Sequence, residues 1–253
     1  MNSYEKICVM RIRKFEKEVY KTSDFMGWTK GVQQKFDGLI PRKVHQSLAS
    51  ALEKGIKSFI EGINLLPKQQ MVQVEVENPD DLEGLSKAAD KIILYYKRIA
   101  SAEGAGTGFG GLVSAAIDFP ALISIKLKML QELWVLFGYR LENFEDRLFL
   151  LKVFELQFSG EESKQRVWKE VKTWEQNGEN EDKTWDDYDW ETFYMEYKQS
   201  IELRKLFQLI PGFGAIVGAW ANYSFLEDLG STAVTCLQLR YLQSRYDEPI
   251  TRR

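Results

Sequence analysis

The chain has 253 residues, 44% hydrophobic and 28% charged, which is the balance of a folded globular protein able to bury a proper core. A net charge of −3 offers no global attraction to nucleic acid, and the linear sequence has no basic stripe interleaved with aromatics. Two cysteines, Cys8 and Cys236 near opposite ends, are too few for a secreted disulfide scaffold and lack the spacing of a metal knuckle.

The N-terminus, MNSYEKICVMRIRKFEKE, is charged throughout and has no apolar signal core, so the expected location is the cytoplasm. Tyr4, Cys8, Ile12, Phe15 and Val19 recur at helical spacing. A second helix is expected from about Pro41, with Val44, Leu48, Leu52, Ile56, Phe59, Ile60 and Ile63 on one face. Val72, Val74 and Val76 alternate, but with no partner strand in view they read as a loop or an isolated extended piece.

Asn78-Pro79 reads as an N-cap and a first-turn proline, followed by a helix carrying Leu82, Leu85, Ala89, Ile92, Tyr96 and Ile99. A glycine-rich run comes next, from Gly104 to Leu122, and leads into an apolar helix ending at Phe137-Gly138. Pro120 should bend or restart it. Asn143 with Asp146 forms a candidate cap for a helix reaching about Phe158. Residues 161–190 are acidic and hold Trp168, Trp174, Trp185 and Trp190, which suggests an insertion. Thr184 and Asp187 match a capping box for a helix toward Phe207. After Pro211 a second glycine-rich run opens the last long helix, ending near Tyr246. The expected fold is all-α, a single helical-bundle domain over residues 1–253 in which two glycine-rich apolar helices pack closely.

Glycine is costly in a helix, so glycines in runs mark places where a backbone, a ligand or a lipid approaches closely. Gly104 and Gly108, Gly106 and Gly110, and Gly214 and Gly218 are each four residues apart, on one helical face. Close helix packing in a core explains this spacing, and so does a hairpin lying on or in a membrane. Leu206–Leu226 is 21 residues without a charge, long enough to raise the question of a span. However, Gln208, Pro211, Asn222 and Ser224 interrupt it, while Asp118 interrupts the first run and Lys126 bounds it. A carboxylate at the bilayer centre costs at least about 2.5 kcal/mol. Peripheral contact is therefore favoured over a span. Gly106-x-Gly108-x-x-Gly111 has the form of a dinucleotide fingerprint, but a helical segment precedes it where a strand is required.

Catalytic patterns are few. His45 is the one histidine and lies beside an apolar face, so no histidine-type zinc site exists within one chain. There is no nucleophile elbow and no EF-hand frame, and nothing calls for a metal or cofactor. Asp118 stands between apolar neighbours, where a charge needs compensation. It reads as an N-cap ahead of Pro120, as half of a buried ion pair with Arg147, or as a functional acid. Asn222 reads as a cap or an inter-helix hydrogen-bonding group.

The segments EGAGTGFGGLVSAAIDFPAL, FGYRLENFEDRLFLLKVFEL and LIPGFGAIVGAWANYSFLEDLGSTA, in that order, resemble the EcsC family over about residues 44–242, with 161–190 fitting least well. Glu103 to Asp118, Phe119-Pro120, Gly138-Tyr139, Asp146-Arg147 and Ile210 to Asn222 carry the likeness. The family takes its name from a gene neighbouring the subunits of an ABC transporter. The resemblance therefore implies an accessory protein near a membrane, with transporter subunits or membrane lipid as partners. The family has no assigned catalytic residues, so none carries over. The competing readings are an enzyme acting on a lipid or other hydrophobic substrate, and a binding module holding an apolar ligand between the glycine helices.

Overall fold

A computed structural model describes residues 1–21, 50, 53, 55–57, 59, 74, 76, 78, 80–107, 111–141, 144–176, 193, 197, 214–246 and 250–251, with the backbone alone described at 103–107, 111–121, 161–162 and 214–222. Within these residues the chain is all-α and has no strand. The helices are α1 (Ser3–Val19), α2 (Leu82–Thr107), α3 (Gly111–Leu136), α4 (Phe144–Phe158), α5 (Glu161–Lys172) and α6 (Gly214–Gln243), with a short 3-10 turn at Trp174–Gln176. Ile56 and Phe59, in a helical stretch ahead of α2, are fully buried, whereas Val74 and Val76 are half-buried and in no strand. The remainder of the helix expected from Pro41, the capping box at Thr184 and the helix toward Phe207 lie outside the described residues.

Local chemistry sets the helix ends. Asn2 caps α1 reciprocally: its side chain accepts from the Glu5 amide at 2.8 Å, and the Glu5 carboxylate accepts from the Asn2 amide at 2.6 Å. The cap of α2 is Asp81 rather than Asn78. The Asp81 carboxylate accepts from the amides of Glu83 and Gly84, both at 3.1 Å, while Asn78 accepts from Asp80 in a preceding turn. Asp81 wins because it stands immediately before the first helical residue, where the orphan amides are. At the far end of α3, Gly138 takes φ +85°. Its amide donates to Val135 and that of Tyr139 to Trp134, closing a Schellman motif in which the Tyr139 ring lies 4.6 Å from that of Trp134.

One sequence expectation here needs correction. Pro120 does not restart a helix: α3 runs through it from Gly111. A proline removes one amide donor and crowds the preceding turn, yet a helix held by its neighbours on both sides tolerates that loss. The described part of the tryptophan-rich segment, residues 161–176, reaches into the core. Val167, Trp168 and Val171 lie one turn apart on the buried face of α5, and the Trp168 ring meets Phe15 edge-on at 5.2 Å.

Tertiary packing centres on α2 and α6, the most extensively paired helices of the described set, with α3 and α4 against them. Leu82, Leu85, Ala89, Ile92, Ile93 and Tyr96 form the buried stripe of α2. From Ile123 to Trp134, α3 is buried on nearly every side, so it shows little amphipathic periodicity. Gly55 lets the preceding helical stretch approach α3, since a Cβ there would stand 2.9 Å from Ile123. The chain ends are clasped together. Tyr246 donates to Glu5 at 2.8 Å and Arg13 donates to the Ile250 carbonyl at 3.0 Å.

Candidate functional site

A helix buried all round places any polar residue it carries inside the protein. On α3 these are Lys126, Lys128 and Glu132. Lys126 has the most unusual surroundings. Its ammonium donates to the Tyr197 hydroxyl at 3.1 Å and lies 4.9 Å from the ring centre of Phe225, 5.0 Å from Phe158 and 5.5 Å from Tyr197. The rings also brace one another. Phe158 meets Tyr197 edge-on at 5.0 Å, Phe154 packs at 5.2 Å from Tyr197, and Phe193 stacks on it at 6.4 Å. Burial pushes the Tyr197 hydroxyl well above its ordinary value, so it stays neutral and offers its oxygen to the ammonium. A cation facing several desolvated rings gains on the order of 2 kcal/mol from them. Chemically, the arrangement is a buried ammonium held by a tyrosine hydroxyl and faced by aromatic rings.

The site adjoins both glycine-rich runs, with Lys126 just beyond the first and Phe225 at the end of the second. Lys126 follows Asp118 by about two turns in α3, and Phe225 follows Gly218 by about two turns in α6. Around it, polar side chains join the helices in pairs. Tyr96 donates to Glu132 at 2.7 Å, Gln238 to Ser86 at 2.9 Å and Thr232 to Gln157 at 2.6 Å. Lys97, under the Tyr223 ring at 4.1 Å, pairs with Glu227. On the other side, Arg240 lies within 4.7 to 5.2 Å of the rings of Trp134, Tyr139 and Phe149 and pairs with Glu175 at 2.5 Å. These contacts satisfy buried polar groups between helices, a structural task. Neither thiol suits nucleophilic chemistry: burial pushes Cys8 up to about 11 and Cys236 higher still. Among the described residues, no cluster of three or more His, Cys, Asp or Glu could hold a metal ion.

Of the residues singled out in the sequence, Gly104 and Gly106 lie in the last turn of α2, and Gly214 and Gly218 in the first turns of α6. Gly108, Gly110 and His45 are outside the described residues. Asp118 is not an N-cap, because α3 begins seven residues earlier and places it in the helix interior. Arg147 is half-buried in the first turn of α4. Asn222 lies within α6, well past its start, so it does not cap that helix. The side chains of Asp118 and Asn222 lie outside the description, and so does any pairing of Asp118 with Arg147. Sequence reasoning used Lys126 only as the boundary of an apolar run. The signal was a lysine inside ALISIKLKML, a stretch apolar on every helical face. Tyr197 carried no such signal, because its role depends on a contact 71 residues away.

A family model described as the EcsC protein family matches residues 8–242. The match begins well before residue 44 and includes α5 and most of α1. The chain is 36% identical over 229 residues to Protein EcsC of Bacillus subtilis (strain 168), covering 90% of this chain and 92% of that protein. It is 26% identical over 252 residues to the uncharacterized protein YdbA of the same organism, covering 94% and 92%. No solved structure matches.

Proposed function

This chain belongs to the EcsC protein family, and from that premise we propose that it is a membrane-proximal accessory protein that acts by binding rather than by catalysis. The observation that carries the proposal is that α3 and α6 both open in glycine-rich, nearly uncharged sequence and then run into the core. Such sequence is poor in charge and its small residues permit close approach, which fits an interfacial contact or a packed partner helix. Among the described residues no helix is long and apolar enough to cross a membrane. Peripheral attachment at the inner face is thus the form of contact proposed. Subunits of an ABC transporter are the partner that the family resemblance implies. The test is to fractionate cells and wash the membranes with carbonate. Recovery with membranes and release by carbonate is the expected result. Recovery wholly in the soluble fraction, with no transporter subunit captured from solubilised membranes, would overturn it.

A further inference from the structure

The solvent face of α1 has a composition unlike the rest of the chain. This helix has three acids, and two of them, Glu5 and Glu16, turn inward. Glu16 accepts from Lys172 at 3.0 Å and from Trp168 at 3.3 Å, while Glu5 accepts from Tyr246. With those acids consumed by the core, the outer face and the residues just past it expose Lys6, Arg11, Arg13, Lys14, Lys17 and Lys21. The one exposed acid among residues 1–21 is Glu18, paired loosely with Lys14 at 3.8 Å. Six exposed bases against one exposed acid thus leave a net of five positive charges over residues 1–21, in a chain whose net charge is −3. The linear sequence hides this basic stripe, because the acids that alternate with the bases belong to the opposite face.

Along the middle of the same stripe lie two apolar side chains that the fold leaves out of the core. Ile7 is 39% exposed and Met10 is 62% exposed. On a helix, Ile7, Met10, Lys14 and Lys17 follow one another at three- and four-residue steps, so they form a single row with Lys6 and Arg11 on its flanks. Apolar side chains flanked by long cationic ones are the pattern of a helix lying on an anionic bilayer. The apolar groups enter the headgroup layer, and the lysine stems reach back to the phosphates.

We propose that the outer face of α1 docks the protein on an anionic lipid surface, a contact separate from the glycine-rich openings. The proposal rests on the membrane-proximal reading and supplies the electrostatic attraction that the net charge of the chain withholds. Charge complementarity selects the occupant. A neutral bilayer would leave the bases unanswered. Duplex nucleic acid would not need Ile7 and Met10, and the row offers it no ring to stack on.

The test uses the purified full chain in co-sedimentation with vesicles of phosphatidylcholine alone and of phosphatidylcholine with phosphatidylglycerol. Binding is expected to the anionic vesicles only, and to fall as salt is raised. Each lysine near such a surface contributes roughly fivefold in affinity, so Lys6→Gln/Lys14→Gln/Lys17→Gln should weaken binding on the order of 100-fold. Met10→Asp should weaken it as well. All four sites are exposed, and unchanged thermal melts will verify that the variants remain folded. Equal binding to both vesicle types, or undiminished binding by the triple variant, would overturn the α1 proposal while leaving membrane proximity intact. No vesicle binding by the parent would also overturn it, and binding to duplex DNA or polyglutamate instead would reassign the face to an acidic macromolecule. Membrane proximity itself is decided separately, by the carbonate fractionation.

Discussion

Gly230 of α6 lies so close to Ile93 of α2 that a Cβ on the glycine would stand 2.6 Å from Cγ1 and 3.0 Å from Cγ2 of the isoleucine. Those atoms are fixed to a branched Cβ and have no flexible end to swing aside. The packing of α6 on α2 at this point therefore depends on a missing methyl group.

Gly230→Ala should accordingly destabilise the protein by about 1–3 kcal/mol, through overpacking. Combining it with Ile93→Ala should recover part of that loss, since the clash disappears. A double-mutant cycle read by thermal or denaturant melts measures the coupling. Additive effects would mean that α2 and α6 adjust freely at this point.

Tyr96 and Glu132, both buried, join α2 to α3 through one hydrogen bond of 2.7 Å. Burial, followed by the hydrogen bond to the neighbouring Glu132 carboxylate, raises the Tyr96 hydroxyl, so it remains a donor around neutral pH. Tyr96→Phe removes that donor from a buried acid and should cost about 1–3 kcal/mol. Tyr96→Phe with Glu132→Leu should cost less than the sum of the two changes. Urea melts of the three variants supply the comparison.

Between α4 and α5, Lys152 and Arg166 each bridge Glu155 and Glu170, with every contact at 2.8 to 2.9 Å. Burial pushes the Glu170 carboxyl up, but Lys152 and Arg166 outweigh it and leave the group below its ordinary value of 4.5. A depressed carboxylate stabilises the fold above its unfolded value, and that contribution is lost as pH falls through the folded one. The melting temperature of Glu170→Gln should therefore lie below that of the parent near neutrality, and the gap should close in acid below 4.5. A gap constant across that range would show that the ion pairs contribute nothing through charge.

Asp118 stands in the interior of α3 amid apolar sequence, and with the cap excluded the ion pair is the next reading of its charge to test. The expected partner is Arg147. Asp118→Ala and Arg147→Ala should then be coupled by about 0.5–3 kcal/mol in a double-mutant cycle. Strict additivity would dismiss Arg147, and unchanged stability of Asp118→Ala with lost membrane recovery would make the acid a functional residue.

The all-α class, the helices at 4–19 and 82–99, the stop at Gly138 and the start of the last helix after Pro211 were all legible in the sequence. Each rests on local chemistry: a repeat of apolar residues every three or four positions, a glycine free to take positive φ, or a proline shortly ahead of a helix. The family likeness was legible for a similar reason, since it resides in ordered local motifs. Tertiary structure alone decided the rest. Nothing within a few residues of Lys126 indicates that Phe158, Tyr197 and Phe225 will surround it. The same holds for Gly230, which lies outside both glycine runs yet marks a close approach between α2 and α6. The basic face of α1 exists only because Trp168, Lys172 and Tyr246, far along the chain, draw Glu16 and Glu5 inward. Backbone propensity acts over one or two turns. The environment of a charge is set by groups that meet through space after the chain has folded.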